Sequence, residues 1–238
     1  MIFENKDKVL GSECDTNANL SVIGAFNKIQ DNVCIFFASL NIHQIELKTK
    51  YNFIWVYTKN TITFNVPLAW NEEFTVKCFI SQITPAKMIV DTAFINKKDE
   101  IALYSKIEVA LLDVGSQRLK RIYELGLDET ICEKSLIDFE VEKLNNEDGY
   151  IKIGDLIVKS TNIDYCLHTN NVEYVRFILD TYKVEDLIRK PIKKFSINYL
   201  KQSVEGEKMS ICKKAIDDRD KFIIKKYDDN VIKVDITF

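Results

Sequence analysis

One order of elements occurs twice in this chain: a strand, a helix, then four strands. That repetition constrains the fold more than any single motif. In the first half, Ile2 to Leu10 reads as a short strand. Asn19 to Ala38 reads as a helix, because Ile23, Phe26, Ile29, Val33, Phe36 and Phe37 recur at spacings of three and four. A polar stretch, Gln44 to Asn52, follows. Phe53 to Val66 is rich in β-branched and aromatic residues, Pro67 to Glu72 reads as a turn, and Phe74 to Ile83 resumes the pattern. Lys87 to Ile95 and Glu100 to Leu112 complete the set. In the last of these, Ile101, Leu103, Ile107, Val109 and Leu111 share one face with Ser105 as the polar exception. Such alternation predicts a sheet with two distinct faces.

Ser116 to Leu136 turns charged and helix-like and reads as a linker, and Asn145 to Gly149 marks another break. The order then repeats. Tyr150 to Thr161 reads as a strand and Asn171 to Tyr182 as a helix, with Val172, Val175, Ile178, Leu179 and Tyr182 on one face. Ile192 to Val204, Glu207 to Ile216, Lys221 to Lys226 and Val231 to Phe238 read as strands. Cys78 and Cys212 close similar hexapeptides in the two halves. A lone helix in each half needs a curved sheet to cover it. The expected fold is therefore α+β, two tandem hot-dog domains, each a curved antiparallel sheet wrapped around one helix. Residues 1–115 form the first, 116–148 the linker and 149–238 the second. Element order alone leaves two unrelated α+β domains open.

Composition narrows the function classes. The 238 residues carry 33 basic and 36 acidic side chains, so no global basic field points to nucleic acid or a membrane surface. No stretch approaches the apolar run of a membrane span, and the charged start lacks the core of a signal peptide. The cytosol is the expected location. Six scattered cysteines without C-x-x-C spacing argue against a metal site or a disulfide framework. No cofactor is expected, and seven glycines leave no glycine-rich phosphate loop.

The chemistry concentrates in Asp164-Tyr-Cys166-Leu-His168-Thr-Asn170-Asn171, between an expected strand end and a helix start. Histidine is scarce, with only His43 and His168 present, and His43 reads as a loop or surface residue. Asn170 is placed to cap the helix, with Glu173 completing a capping box. Amides near Asn170 and Asn171 would then stabilise an oxyanion. His168 exchanges protons near neutral pH, Asp164 would orient its ring or position a water, and Cys166 is a candidate nucleophile. A capping loop with a structurally satisfied histidine is the alternative.

The segment from Asp164 to Tyr174 resembles the D-x-N-x-H-V-N-N-V-K-Y signature of plant and bacterial acyl-acyl-carrier-protein (acyl-ACP) thioesterases. Phe53-Ile-Trp-Val-Tyr-Thr58 resembles their W-V-L-T/S strand. Ile62 to Val76, with Pro67 and Trp70, resembles the next turn, and Leu111-Leu-Asp113 with Arg118 and Arg121 the end of the first hot dog. The similarity runs from about Asn19 to Cys212. Two positions depart: Cys166 stands where the family has Asn, and Gln202-Ser203 where it carries Glu or Cys. Gln202 would orient water but cannot act as a base. Cys166 is either the nucleophile or a stand-in for the Asn.

The resemblance implies a thioester hydrolase acting in lipid metabolism, in fatty acid biosynthesis. It would release free fatty acid from the phosphopantetheine arm of acyl carrier protein. It also implies an acyl tunnel in the first hot dog, for which Phe26, Val33, Phe37, Trp55 and Phe64 are candidates, each otherwise plain core. An acidic carrier needs a basic surface, and Arg176, Arg189, Lys190, Lys193 and Lys194 are the candidates. A non-hydrolytic acyl-binding relative and an acyl-CoA thioesterase are the alternatives. Chain-length preference and the choice between monomer and homodimer are not readable from the sequence.

Overall fold

The computed structural model describes residues 1–238, which divide into two compact units, Met1–Val141 and Glu142–Phe238. The first unit contains β1 (Ile2–Lys8), α1 (Val22–Ser39), α2 (Gln44–Tyr51), β2 (Phe53–Phe64), β3 (Glu73–Ile83), β4 (Met88–Ile95), β5 (Ile101–Asp113) and the short β6 (Leu119–Lys120). Its strands run antiparallel in the order β1-β3-β4-β5-β2, with β6 beside β5. The second unit contains β7 (Ile151–Ile157), α3 (Asn171–Leu179), α4 (Val184–Arg189), β8 (Lys194–Tyr199), β9 (Lys208–Ile216), β10 (Arg219–Lys226) and β11 (Asp229–Thr237). Its order, β7-β9-β10-β11-β8, repeats that of the first. The buried thiols Cys78 and Cys212 occupy matching positions, opposite Phe3 of β1 and Lys152 of β7. Burial pushes the Cys78 thiol up to about 12, as expected of an inert core cysteine.

Helix α1 forms where the apolar spacing places it. Ala25, Phe26, Ile29, Val33, Phe36 and Phe37 are buried, while Cys34 and Ile35 face out. Each large side chain buried this way contributes roughly 1.5–3 kcal/mol. The N-cap is Ser21, whose Oγ accepts from the Gly24 N–H at 3.0 Å. Gly24 is required by a close approach, since a Cβ there would lie 2.6 Å from the Glu13 carbonyl oxygen. That oxygen also accepts from the Ser21 N–H at 2.9 Å, so it cannot retreat without loosening the cap. Gly24→Ala is expected to destabilise the chain by about 1–3 kcal/mol despite alanine's better helix propensity. A melting temperature equal to or above the wild type would refute this reading of the contact.

The face of the first sheet that carries Phe74 and Phe94 meets α1, where the Lys28 ammonium lies 5.8 Å from the Phe74 ring centre. Ser105 sits on that face and donates to Asn60 at 2.8 Å, which satisfies the one polar residue of its row. The two faces differ in chemistry as the alternation predicts, and the opposite face is also closed to water. Tyr104, Lys106 and Glu108 of β5 are buried too. Ile137 and Phe139 pack on Phe79, Ala93 and Tyr104, and Lys106 donates to Ser135.

The segment expected to be a helix-like linker therefore folds differently. After β6 it makes 3-10 turns at Ile122–Leu125 and Glu129–Ile131, then runs extended as cover for the sheet. It lacks a helical apolar stripe, and its scattered Ile and Phe side chains are used singly. Two short helices also differ from the expected pattern. Helix α2 replaces a polar stretch, capped by His43 and ended by Asn52 in the left-handed region at φ 57°. Helix α4 precedes β8. Helix α3 stops at Leu179 rather than Tyr182, which leaves the helix and donates to Asp220 at 2.6 Å. Strand β8 is confined to Lys194–Tyr199, and a loop follows to β9.

Candidate active site

Asp164 to His168 forms a tight hairpin turn between Ile163 and Thr169, which pair as an isolated bridge. The Asp164 N–H donates to the His168 carbonyl and the Leu167 N–H to the Asp164 carbonyl, both at 3.0 Å. Asp164 Oδ1 accepts from the Cys166 N–H at 2.8 Å, an Asx turn. Leu167 is left-handed at φ 65°, a conformation that costs a non-glycine residue about 1–3 kcal/mol. Tyr165 and Leu167 are exposed at the tip, while Asp164, Cys166 and His168 are half-buried.

The chain then enters α3. Asn170 caps it, its Oδ1 accepting from the Val172 N–H at 2.9 Å. The expected capping box is not formed. The Asn170 N–H is taken by the Asn162 carbonyl at 2.9 Å, so Glu173 has nothing to reach back to. Its carboxylate instead receives the Asn162 side-chain amide at 2.6 Å and Arg176 at 3.2 Å. This also removes Asn170 as an oxyanion donor. The Asn171 N–H, at the first position of the helix, keeps that possibility.

A cluster that sequence reasoning missed holds the hairpin in place. The Ser203 hydroxyl shares hydrogen bonds with Thr169 Oγ1 and with the Tyr174 hydroxyl, each at 2.7 Å, and all three residues are buried. The Thr169 N–H also donates to the Ser203 carbonyl at 2.9 Å. Burial raises the Tyr174 phenol above its ordinary range. The loop after β8 is thereby fixed beside the residue that follows His168. Gln202 neighbours Ser203, yet its own side chain is exposed and bonds to none of the candidate residues. No local sequence pattern links Ser203 to Thr169 and Tyr174, which lie 34 and 29 residues away.

The same turn occurs in the first unit. Asp15 and Asn19 exchange the equivalent backbone bond at 2.8 Å, the Ala18 N–H donates to the Asp15 carbonyl, and Asp15 Oδ1 accepts from the Asn17 N–H at 2.8 Å. Ala18 is left-handed at φ 56°, and Ser21 caps the helix that follows. Asn17 stands at the place of Cys166, and Asn19 at that of His168. One scaffold occurs twice, and only the second copy carries an imidazole.

Asp164, Cys166 and His168 thus share one hairpin. The carboxylate of Asp164 is engaged with the Cys166 amide and makes no bond to His168, whose ring has no protein partner. Phe26, Val33, Phe37 and Trp55 are buried in the first unit, with the Phe37 and Trp55 rings 5.3 Å apart, and Phe64 is half-buried. The basic candidates divide. Arg176 pairs with Glu173, Arg189 with Asp186 and Lys194 with Glu142. Lys190 lies over the Phe238 ring and Lys193 donates to the Phe238 carbonyl. The patch is therefore less basic than its residue count. No group of three or more His, Cys, Asp or Glu side chains is arranged to hold a metal ion.

The model of the acyl-ACP thioesterase C-terminal domain matches residues 146–237, which span this hairpin, α3 and the sheet of the second unit. Over these residues the chain is similar to that domain. It is 23% identical over 217 residues to the chloroplastic acyl-[acyl-carrier-protein] hydrolase FATB1 of Cuphea viscosissima. That match takes in 85% of this chain and 51% of the relative, so the chain spans about half the relative's length. An acyl-ACP thioesterase from Bacteroides thetaiotaomicron superposes with a TM-score of 0.90 at 18% identity, over 100% of this chain and 97% of that one. The 12:0-ACP thioesterase from Umbellularia californica gives 0.88 at 16% identity, over 99% and 96%. The double hot-dog fold expected from the element order is the fold these family members share.

Proposed function

We propose that this chain is an acyl-ACP thioesterase, which hydrolyses fatty acyl-ACP to free fatty acid and acyl carrier protein. The observation that carries the reading is the hairpin that presents Asp164, Cys166 and His168 together at the mouth of α3. His168 acts as general base toward water. Its ring is unencumbered, and the backbone rather than the side chain holds it in the turn. Asp164 fixes the turn through one carboxylate oxygen and offers the other to water or to the ring. The Asn171 N–H and the positive end of α3 stabilise the oxyanion formed on the thioester carbonyl. Thiolate then leaves as the tetrahedral adduct collapses. Gln202 stays outside the chemistry in this geometry.

The acyl chain enters the first unit among Phe26, Val33, Phe37, Trp55 and Phe64. Lys190 and Lys193, which pair with no Asp or Glu side chain, are the preferred contacts for an acidic carrier. The cytosol is the proposed compartment, supported by six cysteines of which none is bridged. The test is release of free thiol from acyl-ACP and acyl-CoA of several chain lengths. Faster release from acyl-ACP supports the reading, faster release from acyl-CoA would favour a coenzyme A ester, and no release from either would overturn hydrolysis. A second reading, an acyl-binding relative that does not hydrolyse, is favoured by one observation: the missing bond between Asp164 and His168.

The role of Cys166 is testable in the same assay. Asn17 fills the matching position of the first turn, with its amide bonded in the same way. Cys166→Asn is therefore expected to preserve the turn and to keep or raise turnover. Cys166→Ser is expected to retain activity as well. A burst of acyl-enzyme from the wild type, abolished in Cys166→Ser, would instead make the thiol a nucleophile.

A further inference from the structure

A polar cavity of about 230 Å³ opens in the second unit, and neither Asp164 nor His168 lines it. Its walls come from the segment 142–150 and from β10 and β11. Most of its charges are already paired. Arg219 grips Asp235 with two hydrogen bonds at 3.0 and 2.5 Å. Lys214 and Lys221 both bind Glu147, and Lys194 binds Glu142. Those are four cations on three carboxylates. Lys143 and Lys233 line the same cavity and have no carboxylate partner.

Lys233 is the unusual member. It is 6% exposed, and its ammonium donates to the Leu144 carbonyl at 3.2 Å and to Asn146 Oδ1 at 2.5 Å. Both acceptors are neutral. A buried cation with only neutral acceptors is costly, and an anion that reached it would relieve the cost. Burial holds its ammonium below the ordinary lysine range, with Glu147 pulling it back up and Lys143 pushing it down. Tyr150 adds a hydroxyl. Burial, then Glu147 and Asp235, push its phenol up to about 12, so it remains a donor near neutral pH. The lining thus offers ammonium and hydroxyl donors around an excess of positive charge.

We propose that this cavity is a binding site for a small multivalent phosphate, free or as a monoester, with Lys233 and Lys143 supplying the unneutralised charge. A divalent anion with several acceptor oxygens fits two lysines without counter-ions better than a monocarboxylate does. The polar lining leaves no place for an acyl chain. Lys233 also anchors the segment 142–146 through Leu144 and Asn146, so a bound anion ties that segment more firmly to the sheet.

Calorimetric titration of the whole chain with inorganic phosphate and with glycerol 3-phosphate, at matched ionic strength in chloride, tests the site. Binding with Kd below ~1 mM is expected for at least one of them. The arm that binds identifies free phosphate or a phosphomonoester as the ligand class. Lys233→Met, which keeps length and removes charge, is expected to weaken binding about tenfold or more. Lys98→Met, at an exposed lysine outside the cavity, should leave it unchanged. Hydrogen exchange on the wild-type chain gives an independent readout if Lys233→Met folds poorly: amides of 142–147 should exchange more slowly with ligand. Heats no larger than those of chloride, wild-type affinity in folded Lys233→Met, or unaltered exchange under saturating ligand would each overturn the proposal.

Discussion

His168→Ala is expected to lower acyl-ACP hydrolysis by ~100-fold or more while leaving the fold intact. The two halves of that statement have separate physical grounds. The hairpin needs the His168 backbone, whose carbonyl accepts from the Asp164 N–H. It does not need the ring, which makes no hydrogen bond within the protein. Removing the ring therefore strands no buried donor or acceptor, the usual route to a large loss of stability. What it removes is the hairpin's imidazole, the group proposed as general base toward water. Melting should be within about 0.5 kcal/mol of wild type, as for substitutions that break no structural feature. Turnover within a few-fold of wild type would show that the imidazole is not the base, and would move the assignment toward acyl binding without hydrolysis.

The fold was legible where burial is periodic. The spacing from Ile23 to Phe37 and the alternation from Ile101 to Leu111 report one face each, and both elements formed. Elements held by other means were hidden. Helix α2 has only Leu47 buried and owes its ends to His43 and Asn52. Neither end shows as an apolar period. On the outer face of the first sheet, Tyr104, Lys106 and Glu108 are polar or amphipathic yet buried. That face is covered by Ile137 and Phe139 from more than twenty residues away, and such long-range cover leaves no local pattern.

The site was legible in part for the same reason. Asp164, Cys166 and His168 are close in sequence and close in space, because a hairpin turn is a local structure. Ser203 reaches Thr169 and Tyr174 from a different loop, so only the fold reveals it. Glu173 matched a capping pattern by spacing, but Asn162 had already taken the donor it would have used. The duplicated turn escaped notice because Asp15-Thr-Asn-Ala-Asn19 and Asp164-Tyr-Cys-Leu-His168 share only their aspartate. That aspartate is what both turns require: its side chain accepts the amide two residues on, and little else about the turn depends on side chains.

The two turns also allow the structural and chemical duties of Asp164 to be separated. Asp164→Asn keeps an oxygen that can accept from the Cys166 N–H, so the turn and the melting temperature should hold. It removes the negative charge available to water or to the imidazole. Turnover is expected to fall by ~100-fold, close to the effect of His168→Ala, if charge is what the chemistry uses. Asp164→Ala should lose the turn acceptor as well, with about 0.5–2 kcal/mol of stability in addition to the same loss of rate. Asp15→Asn makes the identical change in the first turn, where Asn19 replaces the histidine, and should alter neither stability nor rate. If Asp164→Asn hydrolyses acyl-ACP like the wild type while Asp164→Ala does not, the aspartate serves only to shape the turn. His168 would then act with water and the α3 amides alone. A scaffold that occurs twice supplies its own control, since any effect common to both aspartates belongs to the turn and any effect confined to Asp164 belongs to the reaction.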